Sequence, residues 1–176
     1  MAPGIGMIDC SSNELQMLVL KACRGVDLPF AQAQEVASAI SASPRAIPDF
    51  LEYLRLTHQK AEFDFTNGLE IKNANILRDF SVCADAAQQG VDEIVIRDVK
   101  VCPLILALAK YRGVNVEVRS NDLFISKHIE SKKKLDRYNL DPRYLAMLNK
   151  YAAFTYVPET DQSRLDGAGA GLNDND

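Results

Sequence analysis

Residues 91–120, VDEIVIRDVKVCPLILALAKYRGVNVEVRS, read as a strand, a helix and a second strand joined by very short connections. Ile94, Val95 and Ile96 are consecutive apolar residues, the pattern of a strand covered on both faces. Val114, Val116 and Val118 alternate with Asn115, Glu117 and Arg119, the period of two that marks a half-exposed strand. Between them, Pro103 stands where a first helical turn has no bonded N–H to lose. Leu104, Ile105, Leu106, Leu108 and Ala109 follow, and Gly113 is placed for a left-handed stop. A β-α-β unit of about 30 residues favours parallel pairing and a right-handed crossover. The expected class is α/β, with a small, mostly parallel sheet built on residues 91–120.

Upstream lies a helical section, residues 11–57, expected to pack on the sheet unit. Ser11 and Glu14 have the spacing of a capping box, and Leu15, Leu18, Val19, Ala22, Cys23 and Val26 recur at steps of three and four. Gly25 ends this helix. Pro29 opens a second, with Phe30, Ala33, Val36, Ala37 and Ile40 on one side. Ser43-Pro44 begins a third segment that Pro48 restarts or kinks, with Phe50, Leu51, Tyr53 and Leu54 as its buried side. Residues 61–72 carry Asn67-Gly68 between alternating stretches and predict an accessory β-hairpin. Asn75 caps a further helix with Ile76, Leu77, Phe80, Cys83, Ala84 and Ala87 on one face, so residues 75–120 read as αβαβ. Residues 122–138 are highly charged and carry no firm element. Asp141-Pro142 opens a C-terminal helix over 141–153, and Phe154 to Val157 suit a last strand. Residues 1–160 thus form one α/β domain, led in by a flexible first ten residues, and 161–176 form a Gly/Asp-rich segment.

A net charge of -4 supplies no electrostatic footprint for nucleic acid, which argues against a DNA- or RNA-binding role. No apolar run approaches the roughly 18 residues of a membrane span, and the opening MAPGIGMIDCSS lacks the basic start and apolar stretch of a secretory signal. The four cysteines are widely spaced and form no C-x-x-C pair, which speaks against a zinc ribbon or a disulfide scaffold and for reduced thiols in a cytoplasm.

In open α/β sheets ligands collect beyond the carboxyl ends of parallel strands. Here those ends are polar: Arg97, Asp98 and Lys100 after the first strand, Arg119, Ser120, Asn121 and Asp122 after the second. Two guanidinium groups, an ammonium group and a helix N-terminus suit an anionic ligand such as a carboxylate or phosphate. The alternative is a set of ordinary solvated loop residues. Cys102 directly precedes Pro103, at the helix N-cap, where partial positive charge stabilises a thiolate. Cys102 and Asp98 are therefore the candidate catalytic residues, with an inert structural cysteine as the alternative. His58 and His128 are the only histidines, and neither sits in a catalytic context. No H-E-x-x-H, P-loop or G-x-G-x-x-G is present; no metal ligand is assigned, and the cofactor is left unknown.

The stretches Ser12-Asn13-Glu14 and Lys21-Ala22-Cys23-Arg24-Gly25, the Cys102-Pro103-Leu104 turn, Tyr156-Val157-Pro158, Ser163-Arg164 and the run from Gly167 through Gly169 and Gly171 to Asp176 are similar to an uncharacterised bacterial family, domain-of-unknown-function family 3726. The resemblance implies a bacterial cytoplasmic protein and carries no established activity. By composition the closing segment reads as a tail. As a family motif it would gain a role, with Ser163, Arg164, Gly167, Gly169 and Gly171 added to the ligand site through close backbone approach.

Two functions follow. The first is a small-molecule binding protein that holds an anionic metabolite at the strand ends, catalysis left open. The alternative is a non-catalytic, homo-oligomeric assembly or partner-binding module that uses the Asn67-Gly68 hairpin and the C-terminal segment.

Overall fold

The computed structural model describes residues 8–56, 58–127 and 137–155. Its elements in chain order are β1 (Ile8–Ser11), α1 (Ser12–Arg24), α2 (Phe30–Ala42), a 3-10 turn (Pro44–Ala46), α3 (Ile47–Leu54), β2 (Glu62–Asp64), β3 (Leu69–Lys72), α4 (Ile76–Gln88), β4 (Ile94–Ile96), α5 (Pro103–Arg112), β5 (Val114–Arg119), β6 (Asp122–Lys127), β7 (Arg137–Leu140) and α6 (Pro142–Ala153). The fold is α/β, and the β-α-β reading of residues 91–120 holds as β4-α5-β5.

The sheet itself is mixed, which corrects the expectation of a mostly parallel one. Its order is β2-β3-β4-β6-β5. Only β3 and β4 pair in parallel; β2–β3, β4–β6 and β6–β5 are antiparallel. β4 and β5 do run in the same direction, but β6 lies between them. The cause is local. Ser120 takes φ +60 in a two-residue turn that closes on Arg119 and Asp122, and the chain then returns along β5 into the gap left by the α5 crossover. Leu123 and Ile125 on β6 point to the buried face, and Phe124 and Ser126 to the other. The alternation is present in the sequence, although the lysine-rich stretch after it conceals it.

The hairpin is a second correction. β2 and β3 pair as expected, but β3 is an internal strand of the main sheet rather than part of an accessory arm. Gly68 carries φ +111, and a Cβ there would run into the carbonyl of Glu93, where Leu69 N–H donates to Glu93 O (2.8 Å). The third correction concerns residues 8–11. They are not a lead-in but form β1, paired antiparallel with β7 in a separate two-stranded ribbon.

Helix termini follow the local rules. Ser11 and Glu14 close a capping box, Asn75 accepts from Leu77 N–H, Asp141 accepts from Arg143 N–H, and Gly113 is left-handed at φ +63. Phe154 and Thr155 continue from α6 as a turn rather than a strand, and the rest of that expected strand lies outside the described residues. α4 and α5 cover one face of the sheet; α2 packs on α4 and α5, and α1 lies between α2 and α6. The helical section thus meets the β4-α5-β5 unit through α5 rather than through its strands. One continuous core joins all these layers, with Leu15, Ile40, Phe50, Phe80, Ile96 and Leu123 buried in it. Arg112, at the end of α5, binds Glu35 of α2 (2.6 Å) and Asp85 of α4, tying three helices at one point.

Gly25 ends α1 with φ -68, in the right-handed region, so no left-handed turn requires it. Its Cβ would land on the carbonyl oxygen of Tyr151, so glycine is needed for the close approach of α1 to α6. Gly25→Ala is expected to cost about 2–3 kcal/mol by forcing the two helices apart. Thermal unfolding should show a midpoint lowered by roughly 5–10 °C; an unchanged midpoint would exclude this role.

Candidate functional site

The loop after β4 and the turn after β5 meet at one end of the sheet, as the sequence order of strand ends suggested. Val99 N–H donates to Asn121 O (2.9 Å), and Asp98 N–H donates to Asp122 Oδ1 (3.3 Å). Between the two loops is a cavity of about 390 Å³ lined by Asp98, Val99, Lys100, Val101, Val118, Ser120 and Asn121. Asp98 at φ +54 and Ser120 at φ +60 both hold the left-handed conformation without being glycine. Such backbone is uncommon and held by its surroundings. Of the expected ligand residues, Lys100, Ser120 and Asn121 line this cleft, and the candidate catalytic Asp98 joins them.

Arg97 does not. It follows Val95 by two residues, so its side chain lies on the sheet face away from the helices, where Nη2 meets Glu70 Oε2 (2.5 Å) and Nη1 meets Asp122 Oδ2 (2.6 Å). Hydrogen bonds from Arg97 hold both carboxyl groups below their ordinary range. The guanidinium is spent on linking β3, β4 and β6. Arg119 is occupied as well: it pairs with Glu117 (2.9 Å) and lies 4.5 Å over the Phe124 ring. The expected convergence of two guanidinium groups on an anion is therefore replaced by internal pairing, and Asp122 serves as a partner of Arg97 rather than a ligand contact.

Cys102 is the N-cap of α5, as expected, but its chemistry is reversed. Asp49 of α3 occupies that helix end, where Leu104 N–H donates to Asp49 Oδ2 (3.4 Å). Burial raises the Cys102 thiol, hydrogen bonds from Ile105 and Leu104 lower it, and the Asp49 charge raises it further; the net shift is upward. Tyr53 lies in the same contact, its phenol pushed up to about 12 by burial first and then by Cys102. A protonated, half-buried thiol beside a carboxylate is a poor nucleophile, and Cys102 is not among the residues lining the cleft. No sequence pattern pointed to Asp49, which comes to the α5 terminus from 55 positions away. Glu70 was signalled only by its alternation with buried Leu69 and Ile71.

Ser163, Arg164, Gly167, Gly169 and Gly171 lie outside the described residues, as does His128. Among the described residues, no group of three or more His, Cys, Asp or Glu side chains could hold a metal ion. Nor, among them, is any helix long and apolar enough to cross a membrane. Comparison with family models, with curated proteins and with solved structures found no match to this chain.

Two outcomes test this geometry. Alkylation of Cys102 by iodoacetamide at pH 8 should be slower than that of a small free thiol, and Asp49→Asn should accelerate it; a fast wild-type reaction would contradict the raised thiol. For Arg97, the lowered Glu70 and Asp122 carboxyls stabilise the fold fully above the unfolded carboxylate range of about 4. That contribution is lost as pH falls through their folded values. The urea midpoint of Arg97→Gln should lie below wild type at pH 7, and the gap should narrow as the pH is taken below the unfolded carboxylate range. A gap that ignores pH would show that Arg97 acts by packing alone.

Proposed function

We propose that the chain is a small-molecule binding protein whose cleft beyond β4 and β5 takes an anionic metabolite, a carboxylate or a phosphate. The observation that carries this is Lys100. It lines the cleft, it is exposed, and among the described residues no carboxylate pairs with it, whereas Arg97 and Arg119 beside it are both paired. Lys100 would supply the counter-charge, with the Ser120 hydroxyl and the Asn121 amide as further donors. Asp98 on the same cleft disfavours a bare polyanion. It would instead accept a hydrogen bond from a hydroxyl or amino group, so the ligand class that fits is a small hydroxy or amino acid, or its phosphorylated counterpart. Val101 and Val118 give the cleft an apolar side against which a short carbon skeleton would lie. The four cysteines are all thiols, which is consistent with a reducing compartment and supports a cytoplasmic location.

A thermal-shift screen of hydroxy acids, amino acids and their phosphates on the full chain tests the reading. At a ligand concentration 100 times the dissociation constant the stabilisation should reach about 2.7 kcal/mol, a rise of several degrees. Lys100→Ala should abolish the rise while keeping the unliganded midpoint, because Lys100 is an exposed loop residue. A screen with no stabilising compound, or a Lys100→Ala variant that responds like wild type, would refute it.

A further inference from the structure

We infer that Asp122 is the positioning residue of the cleft, the side chain that fixes the Asp98–Lys100 wall in the shape a ligand meets. The importance of that wall rests on the small-molecule reading above; the hold that Asp122 has on it does not. Three successive amides lead the chain out of β4. Arg97 N–H donates to Ile71 O of β3 (2.9 Å), and Val99 N–H donates to Asn121 O of the facing turn (2.9 Å). Between them Asp98 N–H donates to Asp122 Oδ1 (3.3 Å). Of the three bonds, only this middle one depends on a side chain. It also belongs to the residue whose backbone most needs holding. Asp98 takes φ +54, a conformation uncommon in residues other than glycine and kept only where the surroundings fix it.

Asp122 is itself held at both ends. It opens β6 in register with Arg119, which sets its backbone, and its Oδ2 meets Arg97 Nη1 (2.6 Å). One carboxylate oxygen is therefore taken by Arg97, and the other is turned to the Asp98 amide, where its charge strengthens the bond. Arg97 keeps the Asp122 carboxyl below its ordinary range, so this acceptor is ionised at neutral pH. The effect falls on two exposed residues, Asp98 and Lys100, which flank buried Val99 and line the cleft. Ser120 and Asn121, on the facing wall, form the turn that Arg119 and Asp122 close. Asp122 is not among the lining residues, yet it joins both walls. Its action on a ligand would run through Asp98 and Lys100.

Amide hydrogen exchange on the full chain without ligand, resolved by residue with NMR, tests this. Asp122→Ala removes the acceptor and should speed exchange of the Asp98 amide about tenfold or more, while the interior amides of α5 keep wild-type rates. Asp122→Asn has the same shape but offers one oxygen to two donors. The Arg97 guanidinium, being charged, takes that oxygen and leaves the Asp98 N–H facing an amino group. Asp122→Asn should therefore lose the same protection, which a role in packing alone would not produce, and it decides the matter if circular dichroism shows that Asp122→Ala has not folded. Wild-type exchange at Asp98 in either folded variant would overturn the inference, because buried Val99 would then anchor the loop unaided. So would an equal loss of protection throughout α5, the mark of general destabilisation. Where O-phosphoserine stabilises the wild type, its affinity should fall about tenfold or more in both variants. A wild type that O-phosphoserine leaves unmoved would speak against the ligand reading alone, and the exchange rates would still decide the part played by Asp122.

Discussion

β4 presents three apolar side chains in succession, and among the described residues helices cover only one face of the sheet, so Val95 points to a face that no described helix covers. Its neighbours across the strands on that face are Glu70 of β3 and Phe124 of β6, and two residues along β4 the Arg97 guanidinium spans from Glu70 to Asp122. Val95 is 3% exposed among them. On the other face, Ile94, Ile96, Leu123 and Ile125 are buried beneath the helix layer. The Arg97 ion pairs thus tie three strands together beside the apolar central strand, and they take from the ligand site a cation that it would otherwise have had.

The same exchange recurs at α5. A helix N-terminus attracts an anion, and this protein provides one from within, the Asp49 carboxylate of α3. Docking α3 against α5 in this way fixes the start of α5 and hence the short loop that forms one wall of the cleft. It also removes the electrostatic reason for Cys102 to ionise. Positive groups close to the strand ends in sequence are thereby divided: Arg97, Arg119 and the α5 terminus are neutralised by the protein, and Lys100 is left facing the cleft.

Local signals were legible because their physics is local. The Ser11–Glu14 capping box, the Asn75 and Asp141 caps, the Gly113 stop and the buried faces of α1, α3 and α4 each depend on residues within a few positions of one another. Gly68 and Gly25 were visible as chain breakers. Their reasons, a positive φ at Gly68 and the approach of Tyr151 at Gly25, involve partners that only folding brings near. Strand order was not legible. Val116 and Ile125 alternate in the same way whichever neighbour they pair with, and a β-α-β crossover looks the same in sequence whether its strands touch or leave a gap.

The sequence by itself determined the α/β class, the helix limits, the strand at 114–119 and the set of polar residues at the strand ends, since periodicity and turn chemistry are properties of short segments. Tertiary structure decided that β6 enters between β4 and β5, that residues 8–11 pair with 137–140, and which charges remain available. Glu70 and Asp122 are 27 and 25 positions from Arg97, and Asp49 is 55 from Leu104. An ion pair depends on distance in space rather than along the chain, so the charges that a ligand would meet emerge only once the sheet has formed.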